Sequence, residues 1–262
     1  MNSVAKQWEE SLKNSGYEHH GKGLRACCRL RRYPRVWRRI FKYFKRLPQP
    51  FPMKVFEVGC GGGKQLIPFV LQGHTCMGID CSAEVLERAR RFIAEATTAC
   101  GTKADVKYIH GDFLEYGGSE TFDLVFHVGV LEHFLDEQER MRALQNMFAL
   151  VKPGGWVVSI VPSGMHPLRE KMKQLGLGGY NIPEVDYTDT LMQKELERCG
   201  GKDIIVLPHN IFGYWLIDRH RSFFVRVMKK VLYYCIQLLD FLIVSRRVRL
   251  MHSSTLIGMA RK

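Results

Sequence analysis

The apolar run Lys54–Val58 breaks into Gly59-Cys60-Gly61-Gly62-Gly63, and a helix-periodic stretch, Gln65–Gln72, follows at once. No other feature of the chain constrains its fold as much. Glycines let a strand turn sharply into a helix and leave no Cβ between the main chain and a ligand. The run is continuously apolar rather than alternating, so a strand buried on both faces is expected. The pattern recurs at Thr75–Asp80, followed by a predicted helix over Ser82–Ala96. Ser82 is placed there as N-cap, with Glu84 and Glu87 near the positive end. Asp105–His110, Asp123–Val128 and Trp156–Pro162 read as further strands. A helix over Asp136–Leu150 is stopped by Lys152-Pro153-Gly154-Gly155. Strands spaced by such helices build a parallel sheet with helices on both faces.

Composition narrows the setting. With 46% hydrophobic and 25% charged residues in 262, the chain is too apolar for disorder and suits one α/β domain with additions. Eight cysteines without a C-x-x-C pair suggest neither a disulfide scaffold nor a zinc module, and a reducing, cytoplasmic setting is expected. The first residues lack an apolar h-region, so no signal peptide is expected. The net charge of +13 is uneven: residues 1–47 hold 13 basic and 3 acidic residues, and 215–262 hold 10 and 2. The centre is acidic. A basic excess confined to the flanks points to a surface property, such as attraction to a polyanion, rather than to the chemistry of the core.

That chemistry gathers at the carboxyl ends of the strands. Glu57 precedes the glycine loop, and Asp80, followed by Cys81, closes the second strand, where an acid can hold ribose hydroxyls. Gly111-Asp112-Phe113 follows strand three. Phe122-Asp123-Leu124-Val125-Phe126-His127 leads on to Val130-Leu131-Glu132-His133. In this order and spacing the motifs E-x-G-C-G-x-G, a ribose acid, G-D-F, F-D-x-V and V-L-E-H resemble those of the class I S-adenosylmethionine-dependent methyltransferases, in particular their broad small-molecule group. The resemblance covers 54–162 and the closing strand Thr255–Lys262. A nicotinamide-binding domain would prefer G-x-G-x-x-G and would leave Glu57, Asp112 and Glu132-His133 unexplained.

The resemblance implies a Rossmann-like α/β fold with a seven-stranded sheet and helices on both faces, to which the residues themselves add amphipathic helical segments at both ends. It implies S-adenosyl-L-methionine as cofactor, released as S-adenosyl-L-homocysteine. Glu57 would anchor the methionine ammonium. Gly59, Cys60, Gly61 and Gly63 would line the cofactor with backbone, and Asp80 with Cys81 would meet the ribose. Asp112 and Phe113 would take the adenine, and His127 would sit beside the methionine. Asp123 is expected to brace strand four without touching a ligand. Methyl transfer requires alignment and exclusion of water, and a base where the acceptor must shed a proton. His127, His133 and His166 are the candidate bases, with His209 behind them. No metal site is expected, because the ligand pattern around Glu132-His133 is missing.

The organisation expected is a basic helical segment over 1–52, a core over 53–210 with an acceptor lid at 163–187, a helical insertion over 211–252, and a closing strand at 253–262. Within 34–47, Val36, Trp37, Ile40, Phe41, Phe44 and Leu47 share one helical face and six cations the other. The segment 222–249 is similarly apolar and basic, and too interrupted by charge to cross a bilayer. Both are read as peripheral membrane contacts, which favours a small or lipid-like acceptor, oxygen-linked, at the inner face of a membrane. Packing on the sheet, or an oligomer formed through 222–249, are the structural alternatives. Without a recognisable RNA-binding module, an RNA or protein acceptor is the second reading. A membrane-associated protein that holds the cofactor without turnover is the third.

Overall fold

The computed structural model describes residues 29–44, 52–175, 182–213, 222–238 and 245–262. The elements in chain order are α1 (Arg35–Phe44), β1 (Lys54–Val58), α2 (Ile67–Leu71), β2 (Thr75–Asp80), α3 (Ala83–Cys100), β3 (Val106–His110), β4 (Phe122–Val128), α4 (Glu137–Leu150) and β5 (Val151–Pro162). They continue as α5 (Arg169–Gln174), α6 (Asp189–Arg198), β6 (Lys202–Ile211), α7 (Phe223–Leu238), α8 (Arg246–His252) and β7 (Ser253–Arg261). The seven strands form one sheet in the order β3-β2-β1-β4-β5-β7-β6, the Rossmann-like arrangement expected. β1 runs parallel to both β2 and β4, and β2 parallel to β3. The chain starts at β1, builds outward to β3, then returns to β4 on the other side of β1. Ligands bind open α/β sheets at such a reversal.

The chain divides into two compact units, one comprising 1–128, 142–158 and 261–262, the other 129–141 and 159–260. The first is closed by α1. Trp37 meets Phe69 and Phe126 edge-on, with centroids at 4.9 and 4.6 Å, and Phe44 stacks on Trp156 at 4.9 Å. Trp37, Ile40 and Phe44 are buried, whereas Arg35, Arg38 and Lys42 stay exposed. This overturns 34–47 as a membrane contact: its apolar face is spent on the core, the outcome expected of an amphipathic helix beside a sheet. Leu47 lies outside the described residues. Asp123 braces β4 as expected, accepting from Lys54 N at 2.6 Å and from Lys152 Nζ at 2.8 Å.

The second unit contains a buried polar triad. Arg140 Nε donates to Glu195 Oε1 at 2.7 Å, and the Tyr187 hydroxyl donates to Glu195 Oε2 at 2.8 Å. Arg169, also buried, donates to Glu184 and Asp186 and so ties α5 to the segment before α6. That segment lies in the expected lid, of which 176–181 fall outside the described residues.

Several boundaries differ from those the sequence suggests. α3 runs on to Cys100, with the Thr97 and Thr98 hydroxyls bonded back to carbonyls of their own helix, and stops at Gly101 in the left-handed region. α2 is a short helix with Pro68 in its first turn. β5 begins at Val151, so Lys152-Pro153-Gly154-Gly155 belongs to the strand. The chain's end pairs with it there: Gly154 N donates to Lys262 O and Lys262 N to Gly155 O, both at 3.1 Å. Cys100 is disulfide-bonded, while Cys60, Cys76, Cys81, Cys199 and Cys235 are free thiols. No helix among the described residues is long and apolar enough to cross a membrane.

Candidate cofactor site and acceptor-side residues

Strand register sets the first cluster. Val58 pairs with Ile79 on β2 and with His127 on β4, so the carboxyl ends of the three strands stand level. Glu57 is one residue short of that end and 2% exposed. Its Oε2 has no hydrogen-bond partner among the described residues. Burial, then the neighbouring Asp80 carboxylate, push its carboxyl well above the usual range. A buried carboxyl oxygen without a donor is costly, and a cationic donor would relieve both conditions.

The loop beside it is open on one side and closed on the other. Gly61 has φ +51° and its backbone faces open space where a Cβ would stand. Gly63 has φ +73°, and a Cβ there would come within 2.6 Å of the Tyr108 hydroxyl. Conformation and space therefore both demand glycine at Gly63. Asp80 holds the arrangement together: Oδ2 accepts from Gly61 N at 2.8 Å and Oδ1 from Ser82 N at 3.0 Å. Burial raises its carboxyl, opposed by the N–H groups of Ser82, Gly61 and Cys81. Each oxygen retains a lone pair for a further donor. His110 donates to the Cys81 carbonyl at 3.1 Å, steadying the residue after Asp80.

Phe113 is buried with its ring 6.3 Å from that of Phe56, which also meets Tyr116 and Phe122. Asp112 caps the short turn Phe113–Glu115 through Leu114 N at 2.9 Å and is exposed. Cys60 is a packing residue whose Sγ fills the space beside Gly78, and burial pushes its thiol up, away from reactivity. His127 is fully buried at the level of Val58.

The second cluster lies in the other unit. Glu132 and His133 sit in the turn Leu131–His133, pinned where Val185 N donates to Glu132 O at 2.7 Å. The Glu132 carboxyl is buried, Oε2 lacks a partner among the described residues, and burial pushes it up to about 8. In the sequence Glu132 is only one letter of a motif; its burial is what marks it. His133 Nδ1 faces Pro183 O at 3.3 Å. A carbonyl only accepts, so Nδ1 carries the proton and the lone pair is on Nε2. His166 is the reverse: Nδ1 accepts from Leu168 N at 3.1 Å, which puts the proton on Nε2. Burial, then His252, lower His166 to about 4. His166 is thus a donor and a weak base, while burial also lowers His133. His209 is half-buried on β6. Among the described residues no cluster could hold a metal ion.

The first cluster fits S-adenosylmethionine by its donor set: an unpartnered buried carboxyl for an ammonium, open glycine backbone, and an acid poised for a diol. Comparison with known proteins agrees. Residues 55–155 match the family described as a methyltransferase domain. A ubiquinone biosynthesis O-methyltransferase of Brucella anthropi is 34% identical over 109 residues, 41% of each chain. A SAM-dependent methyltransferase from Archaeoglobus fulgidus superposes with TM-score 0.57 at 18% identity, covering 98% of this chain and 99% of that one. The magnesium protoporphyrin IX methyltransferase of Synechocystis, solved with bound SAH, gives 0.56 at 14% identity, covering 100% and 95%. The fold and glycine loop define the class, a Rossmann-like methyltransferase domain. Residues 55–155 match a methyltransferase domain, and the fold is the Rossmann-like one of the S-adenosylmethionine-dependent methyltransferases. It spans 41% to 62% of the length of the curated relatives it matches.

Proposed function

We propose that this chain transfers a methyl group from S-adenosylmethionine to an oxygen of a small, lipid-like acceptor. The observation that carries this is the buried Glu57 carboxyl beside the open loop at Gly61, with Asp80 bonded to that loop. Glu57 would bind the methionine ammonium as a carboxylate, and Asp80 would orient the ribose through its remaining lone pairs. When bound, the cofactor supplies a sulfonium methyl and its own leaving group. The chain's part is then to align the acceptor, exclude water and accept the acceptor's proton. His127, His133 and His166 remain the candidates for that last role. Oxygen as the attacked atom rests on the names of the relatives, the ubiquinone biosynthesis O-methyltransferases.

The test is transfer of isotopically labelled methyl to a panel of lipophilic phenols and carboxylic acids. Product labelled at oxygen supports the reading. Binding of S-adenosylhomocysteine with labelling of RNA or protein alone would move the acceptor to the macromolecular class. Binding with no transfer to any acceptor would leave a cofactor-holding protein.

A further inference from the structure

Helix α7 is mounted inside out. Its contacts with β6 are polar: the Tyr233 hydroxyl donates to Asn210 Oδ1, and Gln237 Nε2 donates to Ile211 O at 2.6 Å. Gln237 is buried, yet Phe223 and Phe224 are 73% and 70% exposed, and Val227, Met228, Val231, Leu232 and Tyr234 are exposed as well. At 3.6 residues per turn, these seven positions fall within one half of the helix circumference, with positions 235 and 238, Cys and Leu, added and no charge among them. The exposed cations Arg226 and Lys230 lie along one margin of that arc, Arg226 with its guanidinium 5.9 Å from the Phe223 ring. Helix α8, which also packs on β6, exposes Val248, Met251 and Arg247.

A contiguous apolar face turned to water marks an interaction site. Its cationic margin decides the occupant. Two copies meeting through this face would bring like charges together at the rim, and a nucleic acid would engage the cations but leave the aromatic arc in water. An anionic lipid surface satisfies both, taking the arc below the headgroups and the cations at their level. We propose that α7 is an interfacial helix that docks this chain onto anionic membranes, with Phe223 and Phe224 as its deepest anchors. The docking does not depend on methyl transfer and would persist in a catalytically dead chain.

The experiment is flotation of the full chain with vesicles of phosphatidylcholine alone and of phosphatidylcholine mixed with phosphatidylglycerol, over a salt series. Retention on the mixed vesicles, weaker on the neutral ones and declining with salt, is expected. Phe223→Ser combined with Phe224→Ser should weaken partition on the order of a hundredfold, since each ring contributes roughly 1.4 kcal/mol or more when buried. Arg226→Glu with Lys230→Glu should weaken it about tenfold on anionic vesicles and leave neutral ones unaffected. An unchanged melting temperature will show that the variants fold. Retention that the Phe223/Phe224 variant does not alter would overturn the proposal. So would absence from all vesicles, whether accompanied by a concentration-dependent dimer in sedimentation or by RNA binding.

Discussion

Helices α1 and α7 look alike as sequence, each a cationic amphipathic segment next to the sheet-forming core, and the structure uses them in opposite ways. α1 turns Trp37, Ile40 and Phe44 inward and leaves Arg35, Arg38 and Lys42 exposed. α7 fixes itself through Tyr233 and Gln237 and leaves its rings in water. Amphipathic spacing therefore says that a helix has two faces and not which one the protein keeps. What separates the two is the presence of polar residues able to bond to the underlying strand from the non-apolar side.

The contrast can be broken most severely at α1. Trp37→Ala should cost about 3–5 kcal/mol in urea unfolding, because it empties the space between Phe69 and Phe126. A loss below about 1 kcal/mol would mean that α1 is not a core element. Buried polar groups extend the comparison. Gln237 is buried and bonded, whereas Glu132 is buried with one oxygen lacking a partner among the described residues. The Glu132 carboxyl is pushed from 4.5 to about 8. Between those values the native chain holds a proton that the unfolded chain has released, so stability falls as pH rises through this window. Glu132→Gln should remove that decline, a gain on the order of 5 kcal/mol near pH 9 and little near pH 4. Equal pH profiles for the two proteins would refute the assignment. Gln237→Ala should cost about 1–2 kcal/mol and raise amide exchange in α7, through loss of the bond to Ile211 O. The smallest effect belongs to Phe223→Ser with Phe224→Ser, within about 0.5 kcal/mol by melting, since neither ring packs in the core. A large loss there would erase the difference between the helices.

Much of the cofactor half was legible because its signals are local. The glycine run needs positive φ at Gly61 and Gly63, Asp80 ends a strand, and Ser82 caps α3. Thr188 likewise caps α6 through Leu191 N. What the sequence concealed depends on partners distant in the chain. The glycines before Trp156 looked like a helix stop, yet Lys262 pairs with them and makes them strand. The contact of the Phe113 ring with Phe56 joins two segments far apart in the chain. The Leu168 N–H fixes the tautomer of His166, which no spacing reveals. Glu132 announces itself only through burial.

The central claim is the ammonium site at Glu57, and calorimetric titration of S-adenosylhomocysteine into the intact chain and its Glu57→Gln variant tests it most directly. The account predicts one-site binding to the intact chain and at least about tenfold weaker binding to the variant, the loss of one charge-assisted hydrogen bond. No binding to the intact chain, or equal affinity in the two proteins, would contradict it.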